Sequence, residues 1–200
     1  MRHVRAFLFA VLLAVAPMAF AIAASANTGH QPIWVSDQTD VRTFYHPCHD
    51  GDVSGTCKLV VTTTVPAHYV LPDAPGLPLL TTARACYGPY YIWPSVKAAD
   101  YNALGIEVTE VDLSAENWYN GCSSGAVWVN GSCWANAGYS CSNGSWGGFW
   151  DGGHRYYQDW TNWNTTLVPL NLTVTWYLRI HVYPNGTWSR WCYNTGAGSC

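Results

Sequence analysis

No stretch constrains this chain more than the run from Asn117 to Trp150, which contains no Asp, Glu, Lys or Arg. Trp118, Tyr119, Trp128, Trp134, Tyr139, Trp146, Phe149 and Trp150 stand there, spaced by glycines and punctuated by Cys122, Cys133 and Cys141. Aromatic side chains fit a pleated, half-buried surface, and glycine is costly inside a helix, so strands are the expectation. Asn120-Gly121, Asn130-Gly131 and Asn143-Gly144 read as the turns of a tight meander, since Asn-Gly accepts the positive φ of short hairpins.

The first residues address the compartment. Arg2 and Arg5 precede an unbroken apolar run, Phe7 to Ala16, and Ala24-Ser25-Ala26 offers a small-x-small cleavage pattern. Residues 1–26 therefore read as a removed signal peptide and 27–200 as a single secreted, extracellular domain. No later segment approaches the ~20 apolar residues of a membrane span. Of nine Lys plus Arg, Arg2 and Arg5 leave with the signal, so seven bases face twelve acids, net −5. That is no footprint for nucleic acid. Met1 and Met18 leave too, which removes any methionine ligand for copper or haem.

Cys48, Cys57, Cys86, Cys122, Cys133, Cys141, Cys192 and Cys200 all follow the signal, an even set in an exported chain. A disulfide framework is the default there. Cys48–Cys57 and Cys192–Cys200 would each close a short polar, Gly-containing loop. The other four cysteines keep three possible pairings open.

Period-two alternation is clearest late in the chain. Leu172, Val174, Trp176, Leu178, Ile180 and Val182 alternate with polar or amphipathic residues, which puts one face in a core. Pro184-Asn185-Gly186 suits a three-residue type I turn with Gly186 at the bulge, and that register turns Trp188 inward rather than Trp191. Lys58 to Val65 is a β-branched strand ending at Pro66. The apolar phase of Ile106 to Leu113 shifts between Val108 and Val111, predicting a bulge. Ser95 to Leu104 is the one predicted helix, with Ser95 as cap, Val96, Ala99, Ala103 and Leu104 on one face and Gly105 at C′. The sum is an all-β, disulfide-stabilised antiparallel sandwich or jelly-roll-like domain with one short helix near 95–104.

Among candidate sites the aromatics come first. Seven of twelve Trp fall between Trp118 and Trp163. A flat ring matches the axial C–H face of a pyranose, and Trp146, Trp150, Tyr157, Trp160 and Trp163 are the expected carbohydrate-binding set. Gly147, Gly148, Gly152 and Gly153 suggest that they lie on an exposed loop.

Asp50, Asp52 and Ser54, followed by Gly55, match the first half of a calcium loop, although its twelfth position is Val61 rather than Glu. A structural calcium is the only cofactor this suggests. Ser123 sits in a formal G-x-S-x-G, but the expected hairpin arm after it is not the helix that a nucleophile elbow requires.

The three Glu of the chain, Glu107, Glu110 and Glu116, lie within ten residues. Glu107 and Glu110 flank the predicted bulge, with Asp112 close by, so they are the catalytic candidates for glycoside hydrolysis. In general composition the chain is similar to small jelly-roll xylanases, being rich in Trp, Tyr, Gly, Ser, Thr and Asn and poor in charge. None of that family's catalytic motifs is present, so the likeness carries over no residue.

Three function classes follow. The first is a secreted, non-catalytic module that binds carbohydrate or a cell-surface polymer. The second is a small glycoside hydrolase using the carboxylates near 107–112. The third is a self-associating structural subunit of an extracellular assembly.

Overall fold

The computed structural model describes residues 31–48, 55–72, 86–151 and 155–200. The signal-peptide residues and Asp50, Asp52 and Ser54 lie outside them. The described residues are mostly strand: β1 (Ile33–Val35), β2 (Gln38–Pro47), β3 (Thr56–Val65), β4 (His68–Val70), β5 (Tyr90–Ile92), β6 (Ser95–Tyr101) and β7 (Glu107–Tyr119) come first. They are followed by β8 (Ser124–Ala135), β9 (Tyr139–Trp150), β10 (Tyr157–Leu167), β11 (Leu172–Val182), β12 (Trp188–Asn194) and β13 (Gly198–Ser199). A 3-10 turn, Val168–Leu170, is the only helical element among the described residues.

All strand pairs among the described residues are antiparallel. β13, β12, β11, β10 and β9 form a five-stranded sheet in that order. The second sheet runs β2, β3, β6, β7, with β8 on the far side of β7. β5 pairs Tyr119 to Asn117 of β7 beyond the end of β6, so β5 and β6 act as one strand interrupted at Trp93-Pro94. β1 and β4 make a separate two-stranded ribbon.

One apolar cluster joins the two large sheets. Leu59 and Val61 of β3, Val96 of β6 and Val111 and Leu113 of β7 pack with Trp176, Leu178, Ile180 and Val182 of β11. At one side, Arg190 of β12 reaches Asp40 of β2 at 2.7 Å and the indole of Trp188 donates to Gln38. At the other side, the disulfide Cys133–Cys141 ties β8 to β9. Cys48–Cys57, Cys86–Cys122 and Cys192–Cys200 complete four bridges, with no free cysteine. No helix among the described residues is long and apolar enough to cross a membrane.

The helix predicted over 95–104 is a strand and a turn. β6 is paired on both sides, by β3 and β7, so its backbone groups are satisfied in the sheet. Val96 and Ala98 are buried while Lys97 points out, a period of two that the small Ala98 and Ala99 had disguised. Gly105 (φ 76°) is a turn residue, not a C′ cap, and the side chain of Asn102 accepts from the N–H groups of Leu104 and Ile106.

The Asn-Gly reading holds once and fails twice. Asn120-Gly121 turns β7 into β8, with Gly121 at φ 82°. Asn130-Gly131 is inside β8, where a β-carbon on Gly131 would collide with Thr161 of the other sheet. Asn143-Gly144 is a bulge in β9, placed opposite Trp163 where the register shifts. The β8–β9 turn is Asn136-Ala137-Gly138 instead, with Gly138 at φ 89°. Gly131 leaves room for the facing sheet and Gly144 for the Trp163 ring of its neighbouring strand, roles that local sequence does not distinguish from turning.

The Pro184-Asn185-Gly186 turn has the predicted register: Tyr183 and Thr187 close it, Gly186 is at φ 86° and Trp188 packs on the core while Trp191 stays exposed. The bulge near Val108 is present as well, between the Asp100–Thr109 and Tyr101–Glu107 pairs.

Candidate functional site

Strand alternation sorts the five expected aromatics onto opposite faces. In β10, Asp159, Thr161 and Thr165 are buried, so Tyr157 and Trp163 share the core-facing side and Trp160 faces away. Register brings Trp146 and Trp150 of β9 to the core-facing side as well. Trp146 stacks on Trp163 (centroids 6.1 Å, 12° between planes) and Trp150 meets Tyr157 edge-on at 5.8 Å. Trp163 leans across Gly144, and its indole N–H is buried without a partner. The five therefore form no single row.

What the structure assembles instead is the outer face of the five-stranded sheet. Trp176, Leu178, Ile180 and Val182 point into the core, so Thr175, Tyr177, Arg179 and His181 point out. Trp160 of β10 is directly opposite Arg179, and Arg179 is directly opposite Trp191 of β12. The guanidinium carbon lies 5.8 Å from the ring centroid of Trp160, 5.8 Å from that of Trp191 and 5.7 Å from that of Tyr177. Such cation–π contacts are each worth roughly 0.5–1 kcal/mol when exposed and more when desolvated. Trp191 stacks on Tyr193 at 6.2 Å, and Tyr193 meets Tyr177 at 6.1 Å. Gly147 is the partner of Trp160 on β9, so the indole lies over bare backbone.

Polar side chains border these rings. One terminal nitrogen of Arg179 donates to the carbonyls of Thr161 and Leu178 and to Oδ1 of Asn162. His181 hydrogen-bonds Gln158 and Ser189 and stacks on Tyr156 at 4.3 Å. Burial, and then the neighbouring Arg179 charge, push the His181 imidazole below its ordinary value, which keeps it neutral near pH 7. Within the paired residues of β9 to β12 no carboxylate falls on this face; Asp151, just past the end of β9, acts on His181 from its margin and is paired with Arg155.

The carboxylates gather on the outer face of the other sheet. The bulge at Val108 brings Glu107 to the same side as Glu110 and Asp112. Tyr101 donates to Glu107 at 2.9 Å, Lys97 pairs with Glu110, and Ser132 donates to Asp112. Burial raises Asp112 to about 6, assisted by the charge of Glu110. Glu110 shifts the other way: its own burial is outweighed by its neighbours, the Lys97 ammonium first among them. Trp128 donates to Glu116 at 2.8 Å, and Trp134 is the partner of Glu110 on β8.

A third polar group lies at one end of the core. His46 donates to Asp100 (3.0 Å) and to the carbonyl of Pro47 (2.9 Å), and Asp100 raises its pKa. Among the described residues there is no group of three or more His, Cys, Asp or Glu that could hold a metal ion.

No protein family, curated protein or solved structure matches the chain. Its function must be argued from the two outer faces.

The outer-face set was only partly legible in sequence. Tyr177, Arg179, Trp191 and Tyr193 alternate out of phase with the core residues of their own strands, which marks them as outward-facing. Their alignment with Trp160 depends on register between strands, and sequence does not supply that.

Proposed function

We propose that this chain is a secreted, non-catalytic β-sandwich module that takes carbohydrate on the outer face of its five-stranded sheet. The observation that carries this reading is the cross-strand row Trp160–Arg179–Trp191, continued by Tyr177 and Tyr193. Aromatic surface suits the C–H face of a pyranose, while Gln158, Asn162 and Asn164 along β10 offer partners for ring hydroxyls. The row sits on paired strands rather than on a loop, so its spacing is fixed before a ligand arrives. Four disulfides suit an oxidising compartment. The facing arrangement of two sheets over a shared core supports the sandwich reading.

The hydrolase remains the second reading, favoured by the opposite pKa shifts of Glu110 and Asp112. Against it, these groups are next-but-one neighbours on one strand and project from the same side of it. Hydrolysis needs two carboxyl groups ~5–10 Å apart across the bond.

The test is retention of the oxidised protein, without its signal, on insoluble polysaccharides, with reducing sugar measured in the supernatant. Retention without release is expected. Release would transfer the function to the carboxylates. Neither retention nor release would overturn both readings and favour a structural subunit, visible as filaments or defined oligomers.

A further inference from the structure

Arg179 differs from most other cations of the described residues in what it lacks. Lys97 is paired with Glu110, Arg190 and Arg42 with Asp40, and Arg155 with Asp151. Arg179 has no acidic partner among the described residues, although it is half-buried at the centre of a sheet face. Its three hydrogen bonds all leave from one terminal nitrogen. The Nε and second terminal nitrogen donate to no protein acceptor among the described residues, and they form the edge of the guanidinium that matches a carboxylate with two parallel hydrogen bonds. A partly desolvated cation without a counter-charge attracts an anion more strongly than a hydrated one.

The remaining charge is arranged to permit this. The chain is acidic overall, with formal net charge −3. Glu107, Glu110, Asp112 and Glu116 nevertheless project from the outer face of the opposite sheet, across the core. Trp160 and Trp191 carry no charge, and Asp151, the one carboxylate felt at His181, is paired with Arg155.

We propose that the polymer taken by this face is an acidic polysaccharide, with a uronate carboxylate seated on the open edge of Arg179 and sugar rings resting against Trp160 and Trp191. This rests on the carbohydrate-binding reading and names its ligand class. Arg179 selects charge, and the indoles supply contact area that is indifferent to charge.

Affinity electrophoresis of the oxidised protein in polygalacturonate, and in the same polymer fully methyl-esterified, separates the two contributions at one ionic strength. The acid form is expected to bind at least tenfold more tightly. Arg179→Gln should bring the ratio close to one, and Arg179→Lys should leave it in between because a point charge lacks the planar fork. Unchanged near-ultraviolet circular dichroism would show that the variants are folded, and the wild-type ratio does not depend on them. Equal binding of both polymers by the wild type would overturn the acidic ligand while leaving the carbohydrate reading intact. A ratio unchanged in Arg179→Gln would remove Arg179 as the selector. Failure to bind either polymer or any neutral polysaccharide would overturn both readings.

Discussion

Asp159 of β10 and Asn117 of β7 meet across the core, where the amide of Asn117 donates to the carboxyl group at 2.7 Å and neither residue has any exposed surface. The other carboxyl oxygen of Asp159 and the amide oxygen of Asn117 are both buried without a partner. Two orphaned acceptors would be costly. A proton on Asp159 lowers that cost by removing the charge and supplying a donor.

Burial accordingly pushes Asp159 up to about 7, opposed by the hydrogen bond from Asn117. An unfolded Asp releases its proton near 4, so the folded state holds more protons between about pH 4 and pH 7. Stability conferred by the protonated form is therefore present below about pH 4 and is lost as pH rises towards 7. Asp112, raised to about 6, adds a loss of the same sign. Thermal melts from pH 4 to pH 8 should show a falling midpoint. Asp159→Asn should flatten that fall and stabilise the protein at pH 8 by roughly 2–4 kcal/mol, from a shift of about three units at ~1.4 kcal/mol each. A wild-type midpoint that rises over this range would refute the assignment.

Gly186 and Gly198 have the same φ, 86°, but different surroundings. A β-carbon at Gly186 would collide with the Tyr119 ring and approach the Tyr69 carbonyl at 2.8 Å, whereas nothing lies within 4 Å at Gly198. Gly198→Ala should cost only the backbone preference, about 1 kcal/mol, and Gly186→Ala about 3 kcal/mol or more. Denaturant midpoints of the two variants would check the difference.

The bridges close loops of different length. Cys86 and Cys122 are 36 residues apart, while Cys133 and Cys141 are 8 apart. Chain entropy makes the longer loop worth about 1 kcal/mol more. Replacing Cys86 and Cys122 by Ser should lower the unfolding free energy by more than replacing Cys133 and Cys141. The reverse order would show that contacts along the β8–β9 corner outweigh loop length.

The two exposed tryptophan faces can be separated by substitution. Trp191→Ala and Trp160→Ala should each weaken polysaccharide retention about tenfold or more, in the range of an interface aromatic. Trp134→Ala, on the acidic face and 48 % exposed, should leave it unchanged. Loss of retention in Trp134→Ala alone would move the site to the other sheet.

Several residues obey partners that lie far away in the sequence. The spacing of Val96, Ala99 and Ala103 suits a helix face, yet Ser95–Tyr101 is held as a strand by partners on both sides, an interaction that propensity does not contain. Gly131 and Gly144 look like turn glycines, but they leave room for Thr161 and Trp163. Trp146, Trp150, Tyr157 and Trp163 are expected from sequence to share one exposed loop with Trp160, but they stand on β9 and β10 and the pleat divides them from it.

The sequence by itself determined the strand-forming character of the chain, the alternation of β11, the turn at Gly186 and the even cysteine set, because each depends on neighbours a few residues away. Only the tertiary structure decided which side of each strand the other sheet covers, and that Trp160, Arg179 and Trp191 stand in one row. Those outcomes depend on the register of separate strands, and register is set by how the two buried faces fit together.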